Sequence, residues 1–143
     1  MKFKKLDPRA VAPSYGSEYA AGADLHAILD APIIIQPHES VLIHTGIAVA
    51  IPVGYVGLVY ARSGIACKRD LAPSNKVGVI DADYRGEIMV SLHNHGTVDQ
   101  TVEPNERIAQ MVITPIYSSI YEEVDNLDDT ERGTGGFGST GTK

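Results

Sequence analysis

The chain is 143 residues long and carries a formal net charge of −6. That length suits one domain with its own core, and the acidic balance argues against a duplex nucleic-acid binder, which normally has a basic face. The single cysteine, Cys67, excludes an intrachain disulfide and fits a reducing compartment. No apolar run is long enough to span a membrane, and residues 1–9 lack the apolar stretch of a signal peptide. We therefore expect a cytoplasmic protein with neither a membrane nor a nucleic acid as its partner.

Strand signals dominate the sequence. Runs rich in Val, Ile and Tyr, separated at short intervals by glycine and proline, cover residues 32–36, 41–51, 55–60, 87–94 and 107–116. Many short strands with regular turns predict an all-β sandwich or barrel, not alternating βαβ units. The one predicted helix covers residues 63–69, with Ser63 as its cap and Gly64 at its opening.

Two of the predicted strands differ in their apolar pattern. Residues 87–94 alternate between apolar and polar side chains, which predicts one buried and one exposed face. Residues 107–113 are apolar on both faces apart from Arg107 and Gln110. In so small a protein, a strand covered on both sides indicates a partner subunit. The amide of Gln110 must be satisfied there, either by a neighbouring strand or by a ligand.

Two short segments in the first half of the chain are candidate binding elements. Asp24 follows a glycine turn in the segment AGADLHA, a position where Asp is usually an Asx-turn residue. In ARSGIA, Arg62, Ser63 and Gly64 stand where a strand leads into the predicted helix. Backbone amides at a helix start, a hydroxyl and a guanidinium can form a phosphate cradle. The same residues also suit a structural cap.

Residues 77–86 carry the strongest chemical signal. There an apolar, β-type run ends in two carboxylates, Asp81 and Asp83, followed by Tyr84 and a glycine. Carboxylates in that position can activate a water molecule or organise a cation. An ordinary hairpin turn is the alternative, since Asp, Tyr and Gly are common in turns.

The end of the chain changes in character. Residues 122–131 carry six acidic residues and no basic one, and the following segment, 132–143, is rich in glycine. Composition alone favours a disordered tail. Arg132 and Phe137, however, supply a guanidinium for phosphate and a ring for stacking, which suits a mobile arm that closes over a ligand.

Other features carry less weight. His93 and His95 share a strand face at a spacing that can chelate a metal, but no third ligand is evident. Cys67 has no histidine nearby in sequence and is expected to pack as a small apolar residue. Ser63 lacks the Gly-x-Ser-x-Gly setting of a hydrolase nucleophile, and there is no Walker-type loop.

Taken in order, five segments resemble the five motifs of the trimeric dUTPases. They are AGADLHA at 21–27, ARSGIA at 61–66, VGVIDADYRG at 77–86, RIAQ at 107–110 and RGTGGFGSTG at 132–141. Each is short, but all five in this order are highly specific. One departure is Asn105, where the family usually has glycine; Asn tolerates left-handed backbone angles, so the turn can survive.

The resemblance implies the fold and the assembly. It implies a distorted, β-clip type jelly roll that forms a homotrimer with active sites shared between subunits. The catalytic domain would cover residues 1–121, an acidic tether 122–131, and a flexible arm 132–143 that closes over a neighbouring active site.

The resemblance also implies hydrolysis of dUTP to dUMP and pyrophosphate, with Mg²⁺ as cofactor, which limits uracil incorporation into DNA and supplies dUMP for thymidylate synthesis. Asp81 would activate the attacking water, Tyr84 would exclude a ribose 2′-hydroxyl, and Asp24 would reach Mg²⁺ through water. Asp83 is expected to be structural, bonded to a neighbouring Arg. The implied substrate-binding residues are Arg62, Ser63, Gly64, Asn75, Gly78, Val79, Ile80, Tyr84, Met89, Gln110, Arg132, Phe137 and Gly138.

Two alternatives remain open at this point. A dCTP deaminase, or its bifunctional form, resembles this chain in fold but relies on a glutamate for which no matching segment stands out. A jelly-roll interaction protein could instead have kept the trimer and lost turnover.

Overall fold

Short antiparallel strands make up most of the regular structure. The computed structural model describes residues 1–137 and 139, and these contain one helix and twelve strands. The elements are β1 (Lys2–Lys5), β2 (Ser14–Tyr15), β3 (Ala23–His26), β4 (Ile33–Ile35), β5 (Ser40–His44), β6 (Ile47–Ala50), β7 (Tyr55–Tyr60), α1 (Ser63–Arg69), β8 (Leu71–Pro73), β9 (Gly78–Ile80), β10 (Met89–Asn94), β11 (Gln100–Val102) and β12 (Arg107–Pro115).

The strands form one large sheet and three smaller ones. The large sheet has five strands in the order β2-β3-β12-β7-β9, and a second sheet has the order β5-β10-β8. Two-stranded pairs, β1-β6 and β11-β4, complete the described strands. The inward faces bury a common apolar core that includes Leu25, Ile43, Leu92 and Ile108. The prediction of a mostly β protein with one short helix is confirmed.

One predicted strand is divided in two. The run 41–51 contains β5 and β6, separated at Gly46, whose φ is +65°. A Cβ at that position would lie 2.9 Å from the Cβ of Ala10, so both the backbone angle and the available space require glycine there. This break places the β5–β6 turn beside the start of β10, where it contributes to the site described below.

The helix lies where the sequence predicts it, but its cap differs. The N-cap residue is Arg62, with extended backbone angles and no side-chain capping bond, so the predicted Ser63 cap is wrong. The helix ends at Arg69, and the C-cap residue Asp70 has left-handed backbone angles, with φ of 52°. Arg69 fastens its last turn to the chain near β11, through Gln100 and Glu106.

Strands β10 and β12 agree with their sequence patterns. Ile88, Val90 and Leu92 are buried, whereas Met89 on the opposite face is exposed. Strand β12 has buried residues at 108, 109 and 111 and half-buried ones at 112 and 113. Asn105, in the turn before β12, has φ of 63°, as expected of a residue that replaces glycine in a left-handed position.

The chain has neither helix nor strand from residue 116 to residue 137. Ile116 still donates a backbone hydrogen bond to Gly54 (2.9 Å), but residues 117–134 are exposed. Ile120, Tyr121 and Leu127 expose large apolar side chains in this segment. In the described part of the chain, no helix has the length and apolar character needed to cross a membrane.

Candidate active site

The carboxylate predicted to be catalytic lies in an exposed turn at the end of β9. This strand pairs with β7, with Ile80 opposite Gly57, and Asp81 follows directly. The backbone of the turn is closed by a hydrogen bond from the Tyr84 amide to the Asp81 carbonyl (3.2 Å). Among the described residues, the Asp81 carboxylate has no side-chain hydrogen-bond or ion-pair partner, which leaves it accessible to water or to a ligand.

Tyr84 is folded back over the same turn. Its hydroxyl donates to the backbone carbonyl of Glu87 (3.0 Å). A Cβ at Gly86 would overlap the Tyr84 ring, so only glycine at that position allows the ring to lie there. Tyr84 is 41% exposed and lines a pocket of about 230 Å³. The pocket is lined by Leu42, Val79, Ile80, Asp81, Tyr84, Glu87 and Met89.

The structure brings other predicted substrate-binding residues to this hairpin. Val79 and Met89 expose apolar side chains into the pocket. Gly78 lies against β7, where a Cβ would come 3.2 Å from the Cβ of Val59 and 3.5 Å from the Asn75 side-chain nitrogen. Asn75 therefore lies beside the strand that leads to Asp81.

Glu87 is a residue of this pocket that sequence reasoning missed. Its Oε1 accepts from the Gly46 amide (2.7 Å), and its Oε2 accepts from Nδ1 of His44 (2.8 Å). Burial alone would raise the pKa of Glu87, but the hydrogen bonds from His44 and Gly46 outweigh it and hold the pKa below the ordinary value of 4.5. The alternation of residues 87–94 was the available signal, because it places Glu87 on the face of Met89.

A second cluster lies around Asp24, which is in strand β3 and not in an Asx turn. Its Oδ1 accepts from Nε of Arg62 (2.7 Å) and its Oδ2 from an amino group of Arg107 (3.3 Å). Asp24 is 7% exposed. Because two guanidinium groups face one carboxylate, the cluster keeps a net positive charge and suits an anion.

Gln110 and the start of α1 adjoin this cluster. The Gln110 amide donates to the Ala61 carbonyl (2.9 Å), so a neighbouring segment satisfies it, as one of the two sequence alternatives predicted. A Cβ at Gly22 would lie 2.5 Å from the Gln110 side-chain oxygen, so glycine leaves room for this side chain. Ser63 and Gly64 are exposed in the first helical turn, which carries no acidic residue.

The two clusters lie at opposite ends of β7. The register of Ile80 with Gly57 places Asp81 beside Val56, at the beginning of that strand. Arg62 follows its other end, six residues later, which corresponds to roughly 20 Å of extended chain. One chain therefore does not bring Asp81 and Arg62 together.

The predicted arm residues are separate from both clusters. Arg132 donates from Nε to the Gly135 carbonyl (2.8 Å) and makes no contact with the pocket. Phe137 is fully exposed, with φ of 49°. Gly138, which was also predicted to bind substrate, lies outside the described residues.

Comparison with known proteins decides the family. The dUTPase family model matches residues 9–141. The chain belongs to the dUTPase family. It is 47% identical to the deoxyuridine 5′-triphosphate nucleotidohydrolase of Syntrophotalea carbinolica over 99% of this chain and 96% of that one. The corresponding protein of Nautilia profundicola is 49% identical, over 99% and 98% of the two chains.

The fold comparison agrees with the family assignment. The dUTPase of Staphylococcus bacteriophage 80alpha, as a G164S mutant with dUpNHpp, superposes with a TM-score of 0.90 at 30% identity. The match covers 99% of this chain and 98% of the phage enzyme. The structure is thus similar to that of a dUTPase with a nucleotide analogue bound.

The structure does not bear out the expected contacts of Asp83 and Cys67. Asp83 was expected to bond an Arg, but Arg85 donates instead to the carbonyls of Ala82 and Tyr84 (2.7 and 2.8 Å), and Asp83 has no arginine partner among the described residues. Cys67 is exposed on α1 and not packed as an apolar residue, because the helix buries only Ile65.

The predicted histidine pair lies at the end of β10, with His93 in the strand and His95 just after it. The rings of His93 and His95 lie 4.3 Å apart, and His93 Nδ1 is hydrogen-bonded to the Ser40 hydroxyl (2.8 Å). Burial, together with the charge of Lys76, lowers the pKa of His95. In the described part of the chain, no group of three or more His, Cys, Asp or Glu residues could hold a metal ion.

Proposed function

We propose that this protein hydrolyses dUTP to dUMP and pyrophosphate, assisted by Mg²⁺, as a homotrimeric jelly roll. Membership of the dUTPase family and full-length similarity to deoxyuridine 5′-triphosphate nucleotidohydrolases support this reaction. In the cytoplasm, the reaction would limit uracil incorporation into DNA and supply dUMP for thymidylate synthesis.

The observation that carries the proposal is the separation of Asp81 from Arg62 along β7. A carboxylate that activates water must lie within hydrogen-bonding reach of the reacting phosphate. Because the two groups are at opposite ends of one strand, a second copy of the chain has to supply the phosphate-binding end. The exposed apolar side chains of residues 116–131 also favour assembly, since a partner subunit would cover them.

The pocket beside Asp81 suits a deoxyuridine. Backbone groups of β9, at Gly78, Val79 and Ile80, would pair with the uracil edge, with Asn75 beside them and Met89 against the base. Cytosine would present mismatched donors and acceptors, and thymine a methyl group without space. The Tyr84 ring would lie against the deoxyribose and leave no room for a 2′-hydroxyl.

The proposed chemical step is an in-line attack of water at the α-phosphorus. Asp81 would accept the proton of the water as a new oxygen–phosphorus bond forms. The bond between the α-phosphorus and the bridging oxygen breaks, and the electron pair leaves with pyrophosphate. The absence of a competing partner for the Asp81 carboxylate in the described chain favours this role.

The Asp24 cluster suits the triphosphate. Arg62, Ser63, Gly64 and Gln110 would hold phosphate oxygens, and the net positive charge favours that anion. The described chain offers no cage of carboxylates, which fits Mg²⁺ because this ion keeps several waters and prefers substrate phosphates. Asp24 would face its water shell with the lone pairs that the arginines leave unused. When bound, the ion neutralises phosphate charge.

The C-terminal segment would complete the site of a neighbouring subunit. Residues 122–131 would serve as a solvated tether, and residues 132–143 as the arm beyond the catalytic domain of residues 1–121. Arg132 would meet the γ-phosphate, Phe137 would stack on the uracil, and Gly138 would contribute its backbone. The exposure of Arg132 and Phe137 supports this reading, because neither side chain is committed to its own domain.

A product assay tests the reaction. The purified protein is incubated with dUTP, dCTP, dTTP or UTP and Mg²⁺, and the products are identified. We expect dUMP and pyrophosphate from dUTP alone. Ammonia from dCTP would instead indicate a deaminase, and tight dUTP binding without turnover would leave an interaction protein.

A complementation assay tests the shared site. Asp81→Asn and Arg62→Ala chains, each inactive alone, are co-expressed in equal amounts. If the two residues come from different subunits, about one quarter of the sites in random trimers regain both groups, and activity returns to that level. A mixture that stays inactive, although mass analysis shows mixed trimers, would contradict the shared site.

A further inference from the structure

Glu87 is the point where the substrate hairpin is fastened to the rest of the fold. Its backbone carbonyl accepts the Tyr84 hydroxyl (3.0 Å), and its carboxylate accepts from Gly46 and His44 (2.7 and 2.8 Å). One residue thus connects the ring that lines the pocket with the β5–β6 turn. Neither the family resemblance nor the chemistry proposed above uses this residue.

The β5–β6 turn is a rigid anchor for Glu87. The Thr45 hydroxyl donates to the Ile88 carbonyl (2.5 Å), and the Ile88 amide donates to the Ile47 carbonyl (2.8 Å). Thr45 is 1% exposed and Ile88 is completely buried. With the carboxylate of Glu87 bonded to the same turn, the position of its carbonyl is fixed from both sides.

We propose that Glu87 is a positioning residue that sets sugar selectivity by holding the Tyr84 ring. This inference rests on the proposed role of Tyr84 in excluding the ribose 2′-hydroxyl. The Tyr84 hydroxyl has its partner in the Glu87 carbonyl, so movement of that carbonyl moves the ring. A steric filter of this kind depends on placement within about 0.5 Å, because a larger shift opens space for one hydroxyl.

A second cavity adjoins Glu87, and the arginine in it does not compete for the Glu87 carboxylate. Glu87 also lines a cavity of about 340 Å³, together with Asp7, Arg9, Asp30 and His44. The arginine there is occupied by the two aspartates (2.8 and 2.6 Å). Glu87 is therefore left to accept from His44 and Gly46, and a smaller side chain would admit water between the hairpin and the turn.

The test compares the dUTP-to-UTP ratio of kcat/KM in variants of Glu87. We expect Glu87→Ala to lower this ratio by about tenfold or more, through a gain in UTP use, because a misplaced contact commonly changes selectivity by one to two orders of magnitude. Glu87→Gln should restore most of the ratio. Its oxygen can accept from Gly46, and its amide can donate to the other tautomer of His44.

A matched control is Glu39→Ala. Glu39 also accepts a backbone amide, from Gln36 (2.9 Å), but it lies at the other end of β5, next to Ser40, and does not line the pocket. The control should leave the ratio unchanged. Thermal unfolding and oligomer mass for every variant separate loss of selectivity from loss of folding.

A double-mutant cycle with Tyr84→Phe identifies the route. Removing the hydroxyl should reproduce the Glu87→Ala effect, and the two changes together should give no further loss. Additive effects of the two substitutions would overturn the role of Glu87. So would an unchanged ratio in Glu87→Ala when Tyr84→Ala accepts UTP; in both cases the proposed role of Tyr84 would stand. If Tyr84→Ala still rejects UTP, the proposed role of Tyr84 is wrong and the inference falls with it.

Discussion

Two carboxylates, Asp24 and Asp81, show how differently one fold treats the same functional group. Asp24 is buried in β3, and each of its oxygens accepts from an arginine. Asp81 is exposed in a turn and has no side-chain partner among the described residues. Asp24 is held in place by two positively charged groups, whereas the oxygens of Asp81 remain available to water or a ligand.

In the proposed reaction, this difference would separate phosphate binding from the chemical step. A cluster that holds its cations before the ligand arrives does not have to reorganise when the anion binds. A carboxylate that accepts a proton has to be accessible to water and uncommitted. The structure supplies both environments in one chain, at opposite ends of β7.

The substitution with the largest expected effect is Asp81→Asn, which tests whether the exposed carboxylate acts as the general base. Loss of a general base should lower kcat by about 10²–10⁴-fold while binding of a non-hydrolysable dUTP analogue persists. Steady-state kinetics and calorimetric titration of the analogue measure the two effects. Asp83→Asn, two residues along the same turn, is the matched control and should retain most of the activity. A near-normal rate in Asp81→Asn would remove that residue from its proposed role.

Asp24→Asn tests the other side of the comparison. The substitution keeps the shape but leaves Arg62 and Arg107 facing each other without a counter-charge. Although the cluster becomes more positive, its two guanidinium groups lose the acceptor that orients them. We therefore expect KM to rise about tenfold and the free energy of unfolding to fall by about 1–3 kcal/mol. Kinetics and urea unfolding measure these changes.

The control for Asp24→Asn is Asp30→Asn. Asp30 also pairs with an arginine, Arg9 (2.6 Å), but its side chain is 94% exposed. Exposed pairs contribute little, so neither quantity should change much. Equal effects in the two variants would show that burial does not distinguish these ion pairs.

Glu87 is half-buried, between the buried Asp24 and the exposed Asp81, and the pH dependence of stability tests its environment. Its pKa is lowered in the folded chain, so its stabilising effect is fully present above its ordinary value of 4.5 and is lost as pH falls through the lower folded value. We expect a small difference in urea midpoint between the unsubstituted protein and Glu87→Gln. The difference should be largest above the ordinary pKa of 4.5 and should shrink as pH falls below it. Midpoint curves that stay parallel with pH would contradict this.

Much of the architecture was predictable because local chemistry and tertiary structure agree. Strand β7 has the predicted bounds, and Asn105 has the left-handed angle expected of a glycine substitute. Short strands such as β1 were missed, because lysine-rich residues become a strand only by pairing with β6. Gly46 divides a continuous β-rich run. Glycine is required there partly because of crowding by Ala10, a residue distant in sequence, so the sequence pattern did not reveal the break.

Predictions for the site show the same limit. Asp81, Tyr84 and Arg62 could be selected from motifs, since their chemistry is local to each segment. The two arginine contacts of Asp24 could not be predicted, because they join residues 38 and 83 positions apart in sequence. The same holds for the two side-chain contacts of Glu87, whose partners are 41 and 43 positions away. Side-chain contacts over such distances depend on the completed fold.

If the active site is shared between subunits as proposed, the separation of Asp81 from Arg62 would make activity depend on protein concentration as well as on folding. Dissociated subunits would each retain a complete β fold and a complete set of residues, yet none would have a working site. On dilution, specific activity would fall before any spectroscopic sign of unfolding, and mass action would restore it on concentration. Assembly would then control the proposed reaction without an effector or a modification.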